Sequence, residues 1–123
     1  MDLPKREKTF YFDYEGESGF RYEGSFTIKC RLTVAEKYTS ELEKTRLQGD
    51  TSNPSAGLSG MAIALSSLRA RIVDGPNWWK QGLGLNIEDE DALVELYSKT
   101  EDVANEWTLD VKKLVKEEKM GNG

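Results

Sequence analysis

The sequence predicts an α+β fold: an N-terminal antiparallel β-ribbon packed on three to four helices, the last of them the longest. Three observations predict it. Apolar residues alternate strictly with polar ones from Phe20 to Leu32, they recur at spacings of three and four from Leu93 to Leu114, and polar turn formers punctuate the chain between such segments. A chain of 123 residues buries roughly two-thirds of its unfolded surface, enough for one core. No flexible linker or internal repeat divides it, so residues 1–123 read as a single domain, with the ribbon over 9–32 and the helical part over 33–118.

The ribbon begins where Phe10, Phe12 and Tyr14 share one face of an extended segment, and Gly16-Glu17-Ser18-Gly19 supplies a turn. In the second run Phe20, Tyr22, Phe26, Ile28, Cys30 and Leu32 point one way, while Arg21, Glu23, Ser25, Thr27, Lys29 and Arg31 point the other. That period of two describes a sheet with one face on a core and one in water. Gly24 keeps the phase but offers no side chain, which marks a bend or a close approach by another segment.

Thr33-Val34-Ala35-Glu36 has the capping-box pattern, so a helix is expected to start there and to end near Gly49. Val34, Tyr38 and Leu42 recur every four residues along it, and a polar loop over 50–57 follows. From Leu58 to Val73 the apolar positions Met61, Ala62, Leu65, Leu68 and Ile72 are interleaved with small residues, the pattern of a central, largely buried helix that stops at Asp74-Gly75-Pro76. After a loop over 77–86, Leu93, Leu96, Tyr97, Thr100, Val103, Ala104, Trp107, Val111 and Leu114 form one stripe. One long helix, or two with a kink near Ala104, is expected.

Composition narrows the chemistry. The chain has one cysteine and no histidine, which removes a disulfide framework and the commonest zinc and copper ligands. The longest apolar run, Met61 to Leu65, is far shorter than the roughly 20 residues needed to cross a bilayer, and no apolar h-region follows the basic N-terminus. No membrane association and a cytoplasmic location are therefore expected. Residues 88–110 carry nine acids against Lys99 alone, while Lys112, Lys113, Lys116 and Lys119 follow. With a net charge of −5 and no long basic stripe, nucleic acid is not expected as a partner.

Candidate reactive groups read as structural. Consecutive helical residues fan out by about 100°, so Glu88-Asp89-Glu90-Asp91 reads as a solvated helix N-terminus rather than a metal site. Cys30 lies on the apolar strand face with no base to activate it, and Ser66, Ser67 and Ser98 lack a histidine and a nucleophile elbow. Gly82-Leu83-Gly84 lacks the third glycine of a dinucleotide fingerprint. No catalytic residue, metal or cofactor is assigned. The aromatic landmarks Trp78, Trp79, Tyr97 and Trp107 are instead the candidate structural or interface anchors: one indole of the Trp pair is expected to fold into the core, and the other is open to a partner.

The order of landmarks, from Tyr22-Glu23-Gly24-Ser25-Phe26-Thr27-Ile28 through Leu47-Gln48-Gly49 and Asp74-Gly75-Pro76-Asn77-Trp78-Trp79 to Asp91, Leu93, Leu96, Tyr97 and Glu106-Trp107, resembles the tail assembly chaperones and related small morphogenesis proteins of tailed bacteriophages. The resemblance implies a mostly helical, non-enzymatic protein without cofactors, active in the host cytoplasm during particle assembly. Its partners would be the tape-measure protein or other phage structural proteins, and the resemblance carries no catalytic residues. A structural component of the virion, such as a capsid decoration, neck or tail protein, stands beside the chaperone as the alternative. Homo-oligomerisation is open at this point, as is whether the ribbon pairs with a neighbouring subunit.

Overall fold

A computed structural model describes residues 6–49 and 56–121. The expected polar loop lies mostly outside the described residues, as do residues 1–5. Within them the chain is α+β, with a three-stranded antiparallel sheet and four helices.

Strand β1 (Glu7–Glu15) pairs with β2 (Arg21–Lys29) in a register that sets Phe10 opposite Phe26, Phe12 opposite Gly24 and Tyr14 opposite Tyr22. The period of two is thereby converted into one aromatic face and one solvated face. Phe12, Tyr22, Phe26, Ile28 and Cys30 are buried, each large apolar ring or chain contributing about 1.5–3 kcal/mol on leaving water. The opposite face is held by polar cross-strand pairs: Thr9 to Thr27 at 2.9 Å, Tyr11 to Glu23 at 3.1 Å and Arg21 to Asp13 at 2.7 Å.

Helix α1 (Val34–Gln48) starts with the expected box, in which the Glu36 amide donates to Thr33 Oγ1 and the Thr33 amide donates to Glu36 Oε1. It ends at Gly49, whose φ of 74° suits a residue without a side chain. Helix α2 (Ala56–Arg71) buries Ala62, Ala64, Leu65, Ser66 and Leu68. Burial at 64, 65 and 66 in succession means that neighbours surround the helix, and α1, α4 and β2 do so.

The expected helix to Val73 ends two residues early. Ile72–Asp74 forms β3, with Ile72 opposite Ile28 and Asp74 opposite Thr27 across an irregular register. The β-branched pair Ile72-Val73, placed against the free edge of β2, completes backbone hydrogen bonds that continuing the helix into Gly75-Pro76 could not. The ribbon's own chain thus supplies the third strand, and β2 is central. Gly24 explains itself here: a β-carbon on it would lie 2.7 Å from Pro76 Cβ.

Within the expected loop after Pro76, Asn77–Lys80 makes one turn, α3. The final element, α4 (Glu90–Gly121), runs as one helix of 32 residues, without a break at Ala104. Ala92, Leu93, Leu96, Thr100, Ala104 and Trp107 form its buried stripe. Beyond Trp107 burial fades: Val111 and Val115 are half-buried, and α4 runs on past the core.

Candidate protein-interaction site

The aromatic anchors lie in and around one cluster. Trp79 is 2% exposed and Trp107 6% exposed, both within the core. Trp78 is half-buried; its ring meets Phe12, Tyr22 and Phe26 edge-on or tilted, and its Nε1 donates to the Glu23 carbonyl at 2.9 Å. Both indoles of the pair therefore face the molecule, one beneath the sheet and one closing its edge. Tyr97 is half-buried beside the same cluster, where burial pushes its phenol pKa up. Cys30 is buried, and burial likewise raises its thiol.

Asp89 is the buried carboxylate. Glu88 to Asp91 were expected to be solvated, but two of these side chains turn inward to hold the β1–β2 hairpin. Asp89 accepts from the Ser18 hydroxyl at 2.7 Å, the Tyr22 hydroxyl at 2.8 Å and the Ser18 amide at 3.0 Å. Asp91 accepts from Tyr14 Oη at 2.9 Å and from the Glu17 amide. Donation by Ser18 and then by Tyr22 holds the Asp89 carboxyl below its usual range. Gly16 packs so close to Asp89 that a β-carbon would sit 2.5 Å from Oδ2. A carboxylate so enclosed is a clamp. Among the described residues, no group of three or more Cys, Asp and Glu is arranged to hold a metal ion, and no helix is long and apolar enough to cross a membrane.

One apolar surface that the fold leaves unused is on α1. Val34, Tyr38 and Leu42 lie on one stripe and are 84%, 67% and 55% exposed, and α1 buries no residue at all. The helix docks by its polar side instead. Ser40 Oγ donates to the Ser66 carbonyl at 3.3 Å, and Glu43 pairs with Arg69 of α2 as well as with Arg46. At its start Glu36 pairs with Lys29 and, at 3.1 Å, with Arg6. Lys29 first, and then the Thr33 amide, depress Glu36 to about 2; Arg46 first, with Arg69, does the same for Glu43.

Beside the stripe lies a shallow groove of about 460 Å³ between α1 and α2, reached across Ala35 and Thr39 and bounded on its far side by Leu83. Leu83 is itself half-exposed. The stripe and Leu83 are apolar, while Lys29, Glu36, Glu43 and Arg69 line the groove between them, so this face offers another helix both apolar and charged contacts.

No known protein family, curated protein or solved structure matches this chain.

The outward face of α1 was not foreseen, although the signal was present. Glu36, Ser40 and Glu43 share the arc opposite Val34, Tyr38 and Leu42, and Arg69 with Ser66 on α2 offers them partners. Pairing potential, rather than apolarity, decided which side of this helix packs.

Proposed function

We propose that this chain is a non-enzymatic protein-binding protein whose α1 face takes the apolar side of a partner helix, and that it serves bacteriophage morphogenesis as a tail assembly chaperone. The observation that carries the binding role is the reversal of α1, whose apolar stripe points to solvent while its polar side docks. Single exposed apolar residues are ordinary on protein surfaces. Three in one helical stripe, on a helix with no buried residue and with a groove alongside, are arranged for a partner. The series of sequence landmarks supports the phage setting and makes the tape-measure protein, with its long apolar helices, the partner of choice.

The test is titration of the purified chain against tape-measure fragments, with V34S/Y38S/L42S as control. Binding by the parent that the triple variant loses is the expected result. A chain inert toward all fragments overturns the chaperone reading. The virion-component reading is favoured by a different observation, the opposite charge at the two ends of the molecule developed below. Mass spectrometry of mature particles separates the two: a component is present in many copies, a chaperone is absent.

A further inference from the structure

The two ends of the molecule carry opposite charge. The hairpin lies along α4, so its tip meets the helix start through Asp89 and Asp91, while Arg31, just past β2, lies by the helix end. These ends are about 45 Å apart along α4 at 1.5 Å per residue.

At the basic end, Arg31, Lys112, Lys116 and Lys119 surround a groove of about 540 Å³ whose apolar lining is Val111 and Val115. Among the described residues no carboxylate lines it, and none of the four cations has an ion-pair partner. Four cations without an ion-pair partner among the described residues, around an apolar lining in a chain of net charge −5, suit a ligand that is both acidic and apolar. The valines disfavour a purely phosphate-bearing ligand, which has nothing to place against them.

At the other end the turn Gly16–Gly19 is tied to the start of α4 through Asp89 and Asp91. Glu15 and Glu17 are exposed there, and Phe20 is 56% exposed. Arg21, beside them, is neutralised by Asp13 at 2.7 Å. Glu88 and Glu90 stand on the adjoining surface. That end therefore combines carboxylates with a half-exposed aromatic ring that leans on Tyr22, and the groove combines cations with an apolar lining.

The geometry points to head-to-tail self-association, in which the acidic hairpin end of one copy meets the basic α4 groove of the next, Phe20 against Val111 and Val115, Glu15 and Glu17 against the lysines. Such a contact joins two different surfaces, so it propagates to a ring or a filament rather than closing as a two-fold dimer. It uses none of the α1 face, and stands or falls independently of the chaperone reading.

Sedimentation velocity of the full chain tests it across a concentration series at about 0.01 M and about 1 M salt, where the screening length is about 30 Å and about 3 Å. Species beyond the dimer at low salt, dissolving at high salt, are expected. Two charge reversals carry the assignment: K112E/K116E and E15K/E17K should each weaken association at least about tenfold, and a 1:1 mixture of the two should restore it. Phe20→Ser should weaken it without altering the salt dependence. A chain that stays monomeric at low salt overturns the proposal, as does growth that stops at a dimer, association that survives both reversals, or folded variants whose mixture fails to recover. The salt dependence of the parent chain reads the contact without any substitution.

Discussion

The two sides of α2 are held by different physics. On one side α4 and the sheet close over Phe26, Ile28, Leu68 and Leu96, which are fully buried. On the other, α1 rests on α2 through a serine–carbonyl hydrogen bond and the Glu43–Arg69 pair, with Leu47 half-buried at its end. Apolar burial is not screened by salt and does not titrate, whereas exposed or half-exposed ion pairs are worth little and are screened. One side of the molecule is therefore built to persist, and the other to be held in place while presenting its apolar residues elsewhere.

The comparison breaks most directly at Trp79. Trp79→Ala should destabilise by about 3–5 kcal/mol, read as a fall in the urea midpoint with unchanged slope. Its ring meets Phe26 at 6.4 Å between centroids and lies under Gly84, where a β-carbon would sit 2.8 Å from the indole. A loss under about 1 kcal/mol would mean that the region refills the space and that the core is less specific than its packing suggests.

Gly24→Ala ranks next. The added methyl would meet the Pro76 ring at 2.7 Å, and φ at this residue is 153°, where a side chain is strained. Overpacking of this kind costs about 1–3 kcal/mol, measured by the same unfolding curve. If the sheet edge and the Pro76 turn move apart freely, the loss disappears, and with it the claim that the Trp78 flap is fixed against β2.

How much of this was readable beforehand follows from the same contrast. Strand alternation, the capping box and the α4 stripe were legible because each is a local rule that the tertiary structure obeys: Thr33, Gly49 and Trp107 do what their neighbours in sequence imply. β3 was missed because Ile72 and Val73 fit the helical period, and only the open edge of β2, a contact across more than forty residues of chain, makes them a strand. Asp89 was read as solvated because its three donors come from Ser18 and Tyr22. The α1 face was missed for a related reason. Periodicity locates a stripe, but which stripe packs depends on what α2 offers, and α2 offers Arg69 and a serine carbonyl.

Acid should sharpen the contrast further. Glu36 and Glu43, whose ordinary value is 4.5, are held at about 2, so both bind protons more readily in the unfolded chain than in the folded one. Their contribution is complete above about 4.5 and is lost as the pH falls through about 2. Asp89 shifts in the same direction, so the hairpin clamp also weakens as acid protonates it. Amide hydrogen exchange across this window should show α1 losing protection before the strands Phe12 and Phe26 occupy. Simultaneous loss in α1 and the sheet would show that the polar side does not unfold separately.

The smallest effect on stability is expected at the stripe itself, and that smallness is what tests its role. V34S/Y38S/L42S removes three apolar groups that already face water, so the unfolding midpoint should move by no more than about 0.5 kcal/mol per site, and serine's weaker helix propensity accounts for part of any change. A buried stripe of the same composition would lose several kcal/mol. If the triple variant does prove strongly destabilised, α1 packs through its apolar face in solution, the outward stripe is absent, and the binding role has no surface. If stability holds and partner binding goes, the residues contribute nothing to the fold and a great deal to recognition, which separates the two sides of α2 by function as well as by the forces that hold them.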